Sequence, residues 1–187
     1  MDNDQNFNAK VFQESAIKSY LASRLLISTT YLAPIGLYNA HLAVECLLKS
    51  LIAQKGVKPR LTHDLVKLLD DLKELNDHEA LQEARLKDFG KRLNPYQELG
   101  RYGALAQAKN DPDRKDGGNL QVRGAMTYQP SSDIKDVDYA VSTLLSLSED
   151  NTPLLTVIAQ RQWNLPISIK EVLLTQNEFI ILEEEQE

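Results

Sequence analysis

The chain is predicted to be all-α, a helical bundle with one long loop and a carboxyl-terminal extension, on three observations. Apolar residues recur at helical spacing through most of the amino-terminal half. Pro34, Gly56 and Pro59 fall between these runs, where helices stop and start. The segment Tyr38–Ile52 carries its apolar residues in helical register so densely that it is the clearest single helix in the chain.

The first helix is expected from about Asn8 to Leu32, where Val11, Ala16, Leu21, Leu25, Leu26 and Tyr31 recur and Pro34 then interrupts. The second, from about Ile35 to Lys55, places Leu37, Ala40, Val44, Leu47, Leu48 and Leu51 on one face, with Gly56 at the position of a left-handed cap. A third is expected over Thr62–Leu75. Thr62 is read as its cap, Asp64 lies in the positively polarised first turn, and Leu65, Leu68, Leu69, Leu72 and Leu75 form a stripe. A fourth, about His78 to Glu98, carries Ala80, Leu81, Ala84 and Leu86, and Gly90 and Pro95 are candidate division points.

From Gly100 to Ser132 hydrophobic periodicity is weak, and the centre is the polar run Asn110–Asn119, so this stretch is expected to be a long loop. A fifth helix starts at Ser132 or Asp133 and carries Val137, Ala140, Val141, Leu144 and Leu147. Asn151, Thr152 and Pro153 read as a stop followed by a short helix to about Gln162. In 166–182 the apolar runs are short, and periodicity leaves helix and strand open; a small hairpin or an arm crossing to a second subunit are both compatible. The organisation is therefore a bundle over 1–150, including the loop at 100–132, and an extension over 151–187 that packs on the bundle or on a dimer partner.

Composition limits the function. The 187 residues are 42% hydrophobic and 26% charged, enough to bury a core, and the formal net charge is -6. An acidic balance argues against strong general nucleic-acid binding, which depends on neutralising phosphates. Much of the excess lies in the tail Glu183–Glu187, read as a solvated end. A single cysteine, Cys46, permits no intramolecular disulfide and is read as a small buried apolar side chain. With neither a signal-like amino terminus nor an uninterrupted apolar run of membrane length, the expected location is the cytoplasm.

Tyr38, His41, Glu45 and Lys49 fall along one stripe of the second helix, and the four-residue spacing lets His41 pair with Glu45 and Glu45 with Lys49. The favoured reading is a polar seam of ordinary pairs, each worth ~0.2–0.5 kcal/mol. The sharper one sets Glu45 and Lys49 in a groove that orients a ligand or a partner helix. Two metal donors on adjacent turns are too few for a bundle metal site, which needs donors from other helices. His63 and Asp64 are read first as a structural start to the third helix, with acid–base work by His63 a weaker alternative. Arg101 and Tyr102 begin the long loop, with Arg114, Lys115, Arg123 and Tyr128 further along. Guanidinium groups grip phosphates and tyrosines stack on bases, so this is the best nucleotide or single-stranded RNA candidate, although Asp111, Asp113 and Asp116 dilute it. Gly117-Gly118 lacks the strand-to-helix context of a phosphate loop, and no catalytic triad or cofactor motif can be assembled.

The pattern Ala43-x-Glu45-x-x-Leu48-Lys49, then Thr62-His63-Asp64-Leu65, then Tyr96 and Arg101-Tyr102, resembles the HEPN family of higher eukaryote and prokaryote nucleotide-binding domains, over about residues 8–150. The resemblance implies an up-and-down bundle of four or five helices, often a symmetric dimer. Many members are metal-independent ribonucleases acting as toxins; others are noncatalytic modules, including partners of minimal nucleotidyltransferases. Catalytic members carry an Arg separated by four to six residues from a His. Here Arg60 and His63 are separated by two, and none of the three histidines follows Arg101.

The expected function is accordingly a noncatalytic module, without metal or cofactor, binding a nucleotide, an RNA or a protein partner as a homodimer in the family manner. Its candidate ligand-binding residues are Glu45, Lys49, His63, Asp64, Tyr96, Arg101 and Tyr102. The first alternative is a divergent ribonuclease with Arg101, Tyr102 and His63 in a composite site across the dimer. The second is an acidic scaffold or antitoxin-like protein that binds a basic partner.

Overall fold

In the computed structural model the backbone is described over residues 2–29, 32–110 and 130–149, and side chains over 9–29, 32–97 and 133–149. Tyr31, the run 111–129 and everything from 150 onward, including the expected short helix and the 166–182 segment, lie outside the described residues. Among those described there are six helices and no strand: α1 (Asp2–Ile27), α2 (Ala33–Gln54), α3 (Leu65–Leu75), α4 (Glu79–Gln82), α5 (Ala84–Asn110) and α6 (Pro130–Ser146).

α1 and α2 form an antiparallel hairpin. Ser50 Oγ, late in α2, donates to the Ala9 carbonyl, early in α1, at 2.8 Å. At the other end Gly36 lies so close to α1 that a Cβ there would stand 2.7 Å from the Ile27 backbone nitrogen. Pro34 opens α2 in its first turn, where no helical N–H is needed, rather than closing the helix before it. Gly56 follows α2 at φ 74°, the left-handed geometry expected of it.

α2 is the central helix and packs against α1, α3, α5 and α6. Leu47, Leu48, Leu51 and Ile52 are buried, each contributing about 1.5–3 kcal/mol by transfer from water. Contact on several sides explains an apolar content that reaches around the helix. By length and composition α2 would suffice to cross a membrane, contrary to the sequence reading, but 72% of that stretch is buried inside the bundle.

Several boundaries depart from expectation: α1 runs from Asp2 to Ile27 instead of about Asn8 to Leu32, and α6 starts at Pro130, ahead of Ser132. α3 starts at Leu65, and its cap is Asp64, whose carboxylate accepts from the amides of Val66 and Lys67. Thr62 instead accepts from the Asp64 amide at 3.2 Å, shaping the approach to the helix. The expected fourth helix divides at Glu83, not at Gly90 or Pro95. Glu83 accepts from the Tyr139 hydroxyl of α6, which pins the break. α5 then runs through Gly90 and Pro95, with Leu93 and Tyr96 buried on either side of the proline. It continues to Asn110, so Arg101 and Tyr102 lie within a helix and do not begin a loop. Ala104, Ala106 and Ala108 supply the helix propensity there.

α6 closes the bundle against α1, α2 and α5. The Tyr20 hydroxyl donates to Asp138 Oδ1 at 2.7 Å, and Arg24 Nε lies 3.4 Å from the same oxygen, all buried. At its far end Gln54 Nε2 donates to Ser148 Oγ at 2.9 Å. Towards α5, Arg92 pairs with Asp136 at 2.6 Å and Arg85 stacks 4.0 Å above the Tyr139 ring.

Candidate functional site

Three consecutive turns of α2 bring His41, Glu45 and Lys49 to one side, as the spacing requires. What the spacing does not give is depth. Glu45 is 5% exposed and Lys49 9%, so the pair is buried, not a solvated seam. Lys49 Nζ donates to Glu45 Oε1 at 2.7 Å. A carboxylate taken this far from water requires compensation on several of its lone pairs.

The remaining compensation comes from the segment between α2 and α3. His63 Nδ1 lies 3.0 Å from Glu45 Oε1 and 3.1 Å from Oε2. Since the carboxylate accepts, Nδ1 carries the proton. His63 therefore does not cap α3, as first read; it completes the Glu45 cluster, with its side chain 40% exposed at the surface. His41 lies beneath, fully buried, and its Nε2 donates to the His63 backbone carbonyl at 2.9 Å. Its Nδ1 is 3.7 Å from Glu45 Oε2 and makes no hydrogen bond of normal geometry. Burial lowers the His41 pKa below its ordinary 6.5, and Glu45, the His63 carbonyl and the neighbouring Asn94 offset this only in part.

Asn94 of α5 locks the same segment from the other side, and sequence reading missed it. Its Oδ1 accepts from the Leu65 amide at 2.9 Å, and its Nδ2 donates to Asp64 Oδ1 at 2.9 Å. Burial alone would raise the Asp64 carboxyl. The bonds from Asn94 and from the Lys67 and Val66 amides outweigh it and bring the pKa below 3.8. Asn94 carries no local signal, since nothing in a single chain announces which polar side chain of a distant helix will meet a capping aspartate.

Of the seven candidates, the structure brings Glu45, Lys49 and His63 together, while Asp64, next in the chain to His63, turns to Asn94 and the first amides of α3. Tyr96 belongs elsewhere: it is 7% exposed, and its hydroxyl pKa is raised by burial and by Asp133 of α6, with Arg92 opposing. Arg101 and Tyr102 have side chains outside the described residues. Arg101 stands seven positions after Asn94 on α5, hence two turns further along the same helical face. Tyr38 is half-buried at the start of the α2 stripe. Cys46, half-buried beside Glu45, has its thiol pushed up to about 11, chiefly by burial and then by Glu45, so it is unreactive as a thiolate. Among the described residues no three His, Cys, Asp or Glu side chains converge as a metal-binding group.

Chemically, the cluster presents one imidazole edge to solvent, oriented by a buried carboxylate that also accepts from the nearly buried Lys49 ammonium. Such an arrangement can donate to, accept from or stack against a ligand, while the charges behind it hold the ring in place.

No curated protein and no solved structure matches the chain significantly. The model of the HEPN domain matches residues 8–119, a span that takes in α2, the Glu45 cluster, Asn94 and Arg101. That match covers more than half of the sequence, and the chain, an all-α bundle built around this cluster, belongs to the HEPN domain family.

Proposed function

We propose that the chain is a noncatalytic HEPN-type binding module for a nucleotide or an RNA, engaged at the His63 edge of the Glu45 cluster and along α5 towards Arg101. The observation that carries this reading is the part-exposed His63 ring fixed from behind by buried Glu45. A ring so held loses little rotational freedom on binding a base or a phosphate oxygen. Arg101, seven positions after Asn94 in α5, carries a guanidinium, the group that grips a phosphate. Family membership supports a nucleotide- or RNA-related role at the level of class. A symmetric homodimer belongs to the same proposal, and sedimentation velocity tests it.

The functional test is incubation of the full chain with labelled single-stranded RNA and, separately, with labelled ATP, without added metal, scoring retention and cleavage. Retention without cleavage is expected, weakened about tenfold by Arg101→Ala, the scale of one lost charged contact. Retention unchanged in both Arg101→Ala and His63→Ala would sink the proposed site. A ribonuclease reading is favoured by one observation, the carboxylate-oriented imidazole, and cleavage abolished by both substitutions would establish it instead.

A further inference from the structure

Each of the three histidines has its tautomer fixed by a different partner. His41 donates from Nε2 to the His63 carbonyl, and its ring is sealed in the core. His78, exposed at the start of α4, accepts the Ala80 amide at Nδ1 at 3.2 Å, so its neutral ring carries the proton on Nε2. His63 is the reverse: Nδ1–H donates to Glu45, and the Nε2 lone pair is met by no described residue while the side chain is 40% exposed. It alone turns an unprotonated ring nitrogen towards solvent.

From this geometry we propose that His63 is a phosphoryl-acceptor site, modified at Nε2 by a small phosphoryl donor with a good leaving group. Glu45 serves as the positioning residue. As the Nε2 lone pair forms its bond to phosphorus, positive charge develops on the ring and the hydrogen bond from Nδ1–H to Glu45 strengthens. That bond persists in the product, where an Nδ1-protonated ring carries the phosphoryl group outward. Lys49, which donates to the same Oε1 of Glu45, keeps the buried carboxylate from standing alone before transfer. With phosphoramidate as donor the step balances. The Nε2–P bond forms, the P–N bond breaks with its electron pair leaving on nitrogen, and neutral ammonia departs from the zwitterionic donor without any further proton transfer. One phosphoryl group is accepted per chain, with no turnover. The proposal rests on ring geometry and not on RNA binding, so either can fail alone.

The test is treatment of the full chain with phosphoramidate at neutral pH, with the acid-labile adduct located by peptide mass spectrometry at each histidine. His63 is expected to label about tenfold faster than His78, the rate equivalent of one charge-assisted hydrogen bond, with His41 unlabelled. Glu45→Gln should slow His63 by a similar factor and leave His78 unchanged. If Glu45→Gln does not fold, the His63 to His78 ratio in the unaltered protein decides, because it needs no variant. Equal labelling of His63 and His78, or an undiminished His63 rate in folded Glu45→Gln, overturns the proposal. Nitrogen-15 NMR gives an independent reading: a proton on Nε2 of neutral His63 would also overturn it.

Discussion

Glu45 is held by partners drawn from two sources. Lys49 is local, one turn along the same helix, whereas His63 arrives from 18 residues away on the segment that enters α3. The local partner could be read from spacing, and the distant one could not. His41 shows what burial does to the third member. It remains neutral in the folded protein over a range where the unfolded chain takes up a proton, because desolvation lowers its pKa below 6.5. The unfolded state binds more protons below 6.5, so the His41 contribution is complete above that pH and is lost as pH falls towards the lowered folded value. Urea midpoints should therefore drop as pH falls below 6.5, with a His41 slope of at most about 1.4 kcal/mol per pH unit. In His41→Gln, which keeps a donor for the His63 carbonyl, that part of the slope should vanish. Asp64 does not confuse the measurement, because its lowered pKa places its own loss of stability below 3.8.

At the scale of elements, the α1–α2 hairpin depends on close approach at its turn. A Cβ at Gly36 would lie 2.7 Å from both the Ile27 nitrogen and Ile27 Cγ1, and 3.1 Å from the Leu26 carbonyl carbon. Two of these atoms are backbone, so relief requires the end of α1 to move. Gly36→Ala should cost about 1–3 kcal/mol in urea unfolding. Gly56→Ala is the instructive contrast: it meets nothing within 4 Å, and its φ of 74° alone sets a cost of about 1 kcal/mol. A Gly36→Ala cost no larger than that of Gly56→Ala would refute the tight turn. The breaks and continuations of α4 and α5 obey the same logic. Pro95 lacks the N–H that a helix interior uses, yet burial of Leu93 and Tyr96 carries α5 through it. Glu83, with no strong breaker of its own, marks the division because Tyr139 reaches it from α6.

For the whole molecule, α6 lies beyond the matched 8–119 span yet is fastened into the bundle by a buried polar lock. Asp138 accepts from Tyr20 and pairs with Arg24, which is only 2% exposed. Asp138→Ala should destabilise the protein by about 3–5 kcal/mol, since it removes the buried carboxylate that pairs with Arg24 and accepts from Tyr20. Thermal unfolding followed by circular dichroism checks this, and a loss under about 1 kcal/mol would mean that the lock contributes little beyond an ordinary hydrogen bond.

By itself the sequence determined the all-α class, the helix over the Tyr38–Ile52 segment, the left-handed Gly56, and the Glu45–Lys49 pair, because each follows from periodicity or from local stereochemistry. The family resemblance was legible in the same residues. Tertiary structure alone decided that the Glu45 pair is buried, that His63 completes it instead of capping α3, that Asn94 braces the α3 cap, and that Tyr96 faces α6. The physical reason is that burial and charge compensation are properties of packed surfaces from distant segments. A helical period states which side of one segment is apolar, but not which polar group of another will be pressed against it.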